Sequence, residues 1–226
     1  MQNKNILAIL GVVVVLIIAT LFVFSEKLGI NTPNQNNEIA GPVAIVNGEE
    51  IPRSEFETLK SQIVTQQNID FSTFEPAVET QFDAQIAEEL IAQALVKQAA
   101  AASDISVSEE EVDAQIEIVR DEFGGQEVLD EMLDTEGISQ EEFRDLIKTG
   151  ITTQVFLERE LNLSSVTATN EEIEALYNEA ATQGDIAPLE EVRTQVELSV
   201  IDQKQQALIA EFTSQLRTSA NIEVLL

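Results

Sequence analysis

The segment from Ala44 to Phe56, AIVNGEEIPRSEF, constrains the fold more than any other part of the chain. Val43 to Val46 and Glu49 to Ile51 are short strand-like runs. Asn47-Gly48 between them supplies the two positive-φ residues of a type I′ turn, so a tight β-hairpin of fixed register is expected. Pro52 cannot donate to a ladder and ends the second strand. Ser54, with Glu57 three residues on, has capping-box spacing and is expected to start a helix.

Downstream of the hairpin the pattern is helical. The first helix is expected over about Ser54 to Gln67, followed by a loop through Asp70 and Ser72 and a long helix opening near Pro76. The apolar stripe of that long helix is Val78, Phe82, Ile86, Leu90 and Ala94, flanked by Ala87, Ile91 and Leu95. Three further capping boxes follow in order, Ser108-x-x-Glu111, Ser139-x-x-Glu142 and Thr169-x-x-Glu172, each opening a helix. Val112, Ile116, Val119 and Phe123 point inward on the first of these helices, before Gly124-Gly125. Phe143, Ile147, Ile151 and Val155 do so on the second, after a short helix ended by Gly137, and Ile173 and Tyr177 pack on the third. A break around Gly184 precedes a long final helix from Pro188, striped by Val192, Val196, Val200, Leu208, Phe212 and Leu216, and the β-prone residues Ile222 to Leu226 come last.

Ahead of the hairpin, Ile6 to Phe24 carries no charge, and at roughly 1.5 Å per residue it spans nearly the ~30 Å hydrocarbon core. A cleaved signal peptide is the rival reading. The run exceeds the usual ~7–15 apolar residues, however, and no A-x-A-like site follows closely, which favours an uncleaved signal anchor. Lys4 and the amino terminus on one side, against the nearly cancelling Glu26-Lys27 pair on the other, point N-in. Residues 1–5 are thus expected in the cytoplasm, 6–24 as a single-pass anchor, 25–41 as a flexible Asn- and Pro-bearing linker, and 42–226 as one extracytoplasmic domain.

Charge and composition exclude several functions. Forty-one acidic against twelve basic side chains give a formal net charge of −29, and the basic ones are scattered singly. Nucleic acid, whose binding depends on clustered Lys and Arg, is not an expected partner. The chain has no cysteine and no histidine, which removes thiol nucleophiles, Cys/His zinc sites and histidine acid–base catalysis. Glu109-Glu110-Glu111, Glu171-Glu172 and Glu190-Glu191 all fall in first helical turns, where negative charge favours the dipole. The Asp130 to Glu136 cluster lacks the alternating spacing of a calcium loop. Neither a catalytic residue, a metal nor a cofactor is expected.

From about Pro42 to Leu226 the hairpin, the capped helices and the β-prone tail, in that order, resemble the N-terminal domain of the SurA-like extracytoplasmic chaperones and foldases. The resemblance implies a mainly α domain with a small β-hairpin joined by the C-terminal strand. Many relatives insert parvulin prolyl-isomerase domains between the helix matching Glu171 to Ala181 and the one returning from Pro188. Here that gap holds only a few residues, against the ~50 or more that an independent domain needs, so the isomerase part is absent and the chain is not expected to be an enzyme. What the resemblance leaves is ATP-independent holding of unfolded or nascent exported polypeptides in an apolar groove. Phe82, Met132, Leu133, Phe143, Ile147 and Phe156 are candidates for its lining, being large apolar residues near helix junctions. The alternative is an envelope scaffold or adaptor for one folded partner.

Overall fold

The structure is a computed structural model that describes residues 41–183 and 186–226. The expected anchor at 6–24, nearly all of the linker at 25–41 and the break at Gly184 lie outside the described residues. Among the described residues no helix is long and apolar enough to cross a membrane.

The hairpin forms as its sequence dictates. Strand β1 (Ala44–Val46) pairs antiparallel with β2 (Glu49–Ile51), Ala44 opposite Ile51 and Val46 opposite Glu49. Asn47 and Gly48 turn the chain with φ of 54° and 89°, the region that Asn and Gly reach most cheaply. A third strand, β3 (Ile222–Val224), pairs with the other side of β1, giving the order β2-β1-β3. An isolated hairpin is marginal in water, and the arriving strand adds the ladder that β1 would otherwise lack.

Helix α1 (Arg53–Gln66) begins earlier than expected and without the Ser54–Glu57 capping box. Pro52 is the N-cap, at φ −63° and ψ 144°, and no side chain caps the helix. Pro52, extended at its ψ, ends the strand and leaves the helix to start at the next residue, with the first-turn N–H groups uncapped by any side chain. Ser54 lies inside the helix, its carbonyl accepting from the Thr58 hydroxyl at 2.8 Å.

Helix α2 (Pro76–Ala101), with proline in its first turn, is the axis of the molecule. One side of it closes a core with the sheet and α1, in which Val43, Val46, Ile51, Phe56, Leu90 and Ile91 are buried. Burial of each large side chain there contributes roughly 1.5–3 kcal/mol. Leu216, Ala220 and Ile222, from the far end of the chain, pack on this core's edge.

A second core is built by α3 (Glu109–Glu122), α4 (Gln126–Glu136) and α5 (Gln140–Leu161). Ser108 and Ser139 form the expected capping boxes, each side chain accepting from an N3 backbone N–H while Glu111 or Glu142 accepts from the cap's own N–H. Gly137 ends α4 in the left-handed region at φ 69°. Val112, Val119, Leu129, Leu133, Phe143, Ile147 and Ile151 fill this lobe. Val155, expected on the same stripe, is instead exposed, and its neighbour Phe156 is buried, because α5 packs on a different helix at its C-terminal end.

Helix α6 (Asn170–Gln183) and helix α7 (Leu189–Ser219) then form a long hairpin. Thr169 and Glu172 cap α6 reciprocally, at 2.8 and 3.2 Å. Most of the expected apolar stripe of α7 is only half-buried, and Val200 alone is counted in the core.

Candidate functional site

The six candidate groove residues do not share a groove. Leu133, Phe143 and Ile147 meet inside the second core, fully enclosed, with Met132 half-buried at its rim. Phe156 is buried with its ring against Phe212 of α7, the centroids 5.8 Å apart at 52°. Phe82 sits half-buried at the edge of the first core, its ring 5.1 Å from Phe71. An outside chain would reach Leu133, Phe143, Ile147 or Phe156 only if the helices parted.

The open apolar surface lies elsewhere, and one part of it surrounds the entry to α2, another being the run Val224 to Leu226. A short 3₁₀ turn, Phe71–Thr73, is capped by Asp70, whose carboxylate accepts from the Ser72 N–H at 3.0 Å and its hydroxyl at 2.6 Å. These bonds hold the Asp70 carboxyl below the ordinary aspartate range. The turn stacks Phe71 between Phe82 and Phe74, the latter at 6.3 Å, and leaves Phe74 51% and Val78 42% exposed. Phe71 and Phe74 were missed in the sequence. The available signal was a pair of phenylalanines three apart in a connection between helices, where no amphipathic partner is on hand to cover both.

One cation stands beside this patch. The Lys60 ammonium lies 5.8 Å from the centre of the Phe71 ring and is paired to Glu79 at 2.9 Å and Asp83 at 2.7 Å. Partial burial pushes Lys60 down, but the hydrogen bonds to Asp83 and Glu79 more than offset this and leave it above its usual value. Lys60 is therefore charged and engaged.

The same holds across the surface. Every Lys and Arg from Lys60 to Arg217 is held by a carboxylate or, for Arg193, by Asn170. Arg144 bridges Glu109 and Asp113, Lys204 joins Glu172 to the Thr167 carbonyl, and Arg217 holds Glu88. What remains facing solvent is an excess of carboxylates.

Further exposed apolar side chains line the α6–α7 arm and the back of α5: Ile186, Val155 and Leu198, the last 62% exposed. Two clefts among the described residues have mixed walls, with charged and hydroxyl-bearing side chains at their rims. One of about 320 Å³ lies between Lys97 at the end of α2 and Thr149 on α5. Another of about 540 Å³ lies beside Arg144. Among the described residues no group of carboxylates is placed to hold a metal ion. The arrangement offers apolar contact inside an anionic surround.

The chain belongs to the SurA-like N-terminal domain family, whose model matches residues 1–157. It is also similar to a solved structure from Campylobacter jejuni, where the virulence factor PEB4 and the periplasmic protein Cj1289 are described as two structurally related SurA-like chaperones. That similarity covers 82% of this chain and 99% of the other, at 15% identity and a TM-score of 0.39. No curated protein matches the chain.

Proposed function

We infer that this protein is an ATP-independent holding chaperone, anchored to the cytoplasmic membrane by residues 6–24, with its helical domain on the extracytoplasmic side. Unfolded or nascent exported polypeptides are its clients. The observation that carries the reading is the set of large apolar side chains left open on a strongly acidic surface, Phe74, Val78 and Leu198 foremost, in a chain of the SurA-like N-terminal family. Family membership supports a chaperone-type role, and the uncharged run from Ile6 to Phe24 supports the anchor.

Each client contact hides one or two side chains, worth roughly 1.5–3 kcal/mol apiece when fully buried. After the client's ordering cost this leaves weak, micromolar binding and ready release. The acidic exterior keeps a loaded complex soluble. No isomerase activity belongs to this reading, because only residues 184–188 separate α6 from α7.

The test is aggregation of a diluted, unfolded envelope protein followed by light scattering, with the full chain in nanodiscs added at rising ratios without nucleotide. Suppression is the expected result. No suppression at large excess of folded protein would replace this reading with a scaffold that binds one folded partner.

A further inference from the structure

We propose that Asn47 is a deamidation site whose reaction is held back by the sheet it helps to close, and that the product, once formed, loosens that sheet.

Asn47 is the one asparagine of the chain followed by glycine. Glycine has no β-carbon to shield its nitrogen, and around the place where a β-carbon of residue 48 would stand there is no atom within 4 Å. Both turn residues are exposed, and the Gly48 N–H has no hydrogen-bond partner among the described residues. The nucleophile is thus open to water and base. Once that nitrogen gives up its proton it attacks Cγ of Asn47: the N–Cγ bond forms, the Cγ–Nδ2 bond breaks, and Nδ2 leaves as ammonia, solvent returning the proton. Water then opens the cyclic imide at one carbonyl or the other, giving aspartate or isoaspartate.

The electrophile, by contrast, is held at both ends. Asn47 Oδ1 accepts from the Asn221 N–H at 2.9 Å, and Nδ2 donates to Gln98 Oε1 at 2.8 Å. Gln98 is itself fixed, its Nε2 donating to the Val46 carbonyl at 3.0 Å and to the Glu49 carboxylate at 2.8 Å. Swinging Cγ onto the Gly48 nitrogen breaks the bonds to both Asn221 and Gln98. The reaction therefore waits on a local opening that frees the turn from α2 and from the start of β3.

The product does not fit the place it came from. An aspartate at this position presents an acceptor where Nδ2 donated, facing Gln98 Oε1. The Gln98 amide cannot turn to meet it without giving up Val46 and Glu49. Glu49 is already one carboxylate of this network, with Lys97 at 4.0 Å as its cation. Isoaspartate adds a carbon to the backbone of a turn whose length sets the pairing of Val46 with Glu49. A chain that stays open long enough to react is left with β3 less firmly held.

The test ages the full chain, in zwitterionic nanodiscs, in mildly alkaline buffer and follows conversion of Asn47 by peptide mapping and mass spectrometry. Conversion in the folded wild type is expected to be at least about tenfold slower than in the same chain unfolded in urea, as for a reaction gated by local opening. Gln98→Ala should fall between the two. Amide exchange reads the consequence. Asn47→Asp and the aged, isoaspartate-bearing wild type should exchange the Leu225 N–H, which donates to the Val43 carbonyl, several-fold faster than fresh wild type, while Ile147 on α5 keeps its protection. The proposal is overturned by no conversion even in the unfolded chain, by equal rates folded and unfolded, or by Gln98→Ala reacting no faster than wild type. It is overturned equally by unchanged Leu225 exchange in both modified chains, or by loss of Ile147 protection along with that of Leu225.

Discussion

Asn47 and Asn221 bind each other reciprocally: the Asn47 N–H donates to the Asn221 carbonyl at 2.8 Å, and the Asn221 N–H donates to the Asn47 side-chain oxygen at 2.9 Å. The Asn47 amide then donates to Gln98 Oε1 at 2.8 Å, and Gln98 Nε2 donates to the Val46 carbonyl at 3.0 Å. One turn residue thus joins the hairpin, α2 and the start of β3. Asn47→Ala should cost about 1–3 kcal/mol, combining lost hydrogen bonds with a β-carbon in the left-handed region. Asn47→Gly keeps the turn and should cost less. Urea unfolding of the two variants checks the order.

Phe143 and Phe74 separate enclosed from open apolar surface. Phe143→Ala should destabilise by about 3–5 kcal/mol, as expected for a large ring removed from a packed core. Phe74→Ala should stay within about 0.5 kcal/mol. Comparable losses at both positions, in thermal or denaturant unfolding, would contradict the placement of Phe74.

Caps give a third contrast. Ser108→Ala and Ser139→Ala each break a reciprocal box and should cost about 1 kcal/mol. Ser54→Ala, at a position whose side chain caps nothing, should cost little.

These caps also mark what the sequence makes legible. A capping box is decided within four residues, so Ser108, Ser139 and Thr169 could be read directly, as could the Asn47-Gly48 turn. Ser54 had the same spacing, but the helix starts at Arg53, directly after Pro52, which places Ser54 inside the first turn rather than at its cap. The pairing of β3 with β1 was available through the family resemblance. The open surface was not legible, because helical periodicity marks an apolar face without saying whether another helix covers it. Leu133, Phe143 and Ile147 are covered, whereas Val78 lies on the same stripe as Leu90 yet extends past the last element able to shield it.

Glu172 sets a pH test. A hydrogen bond from Lys204, then that from the Thr169 N–H, holds its carboxyl below the ordinary range. A folded-state pKa below the unfolded one gives stability that is fully present above the ordinary glutamate value of about 4.3 and is lost as pH falls through the folded value. Wild type should therefore melt above Glu172→Gln at neutral pH, and the difference should vanish in acid. A constant difference from neutral pH to about pH 2 would refute the linkage.

Ionic strength gives the fifth expectation. Exposed ion pairs contribute about 0–1 kcal/mol each, while repulsion within a chain of net charge −29 acts across the whole surface. Screening should relieve more repulsion than attraction, so the melting temperature should rise with added sodium chloride up to roughly 0.5 M. A fall would mean that networks such as Arg144 with Glu109 and Asp113 dominate.

The central position of β1, between β2 and a strand some 180 residues later, sets the timing of assembly during synthesis. Chains are made from the N-terminal end, so β1 and β2 exist long before Ile222 to Val224 have emerged. Until then the hairpin has an unpaired edge, and Asn47 lacks its partner Asn221. The helical lobe around Phe143 is built from nearby segments and can form early, whereas closure of the sheet waits until Ile222 to Val224 have been made. A frameshift or stop codon even at residue 220 would thus leave the earliest-made element of the domain unfinished.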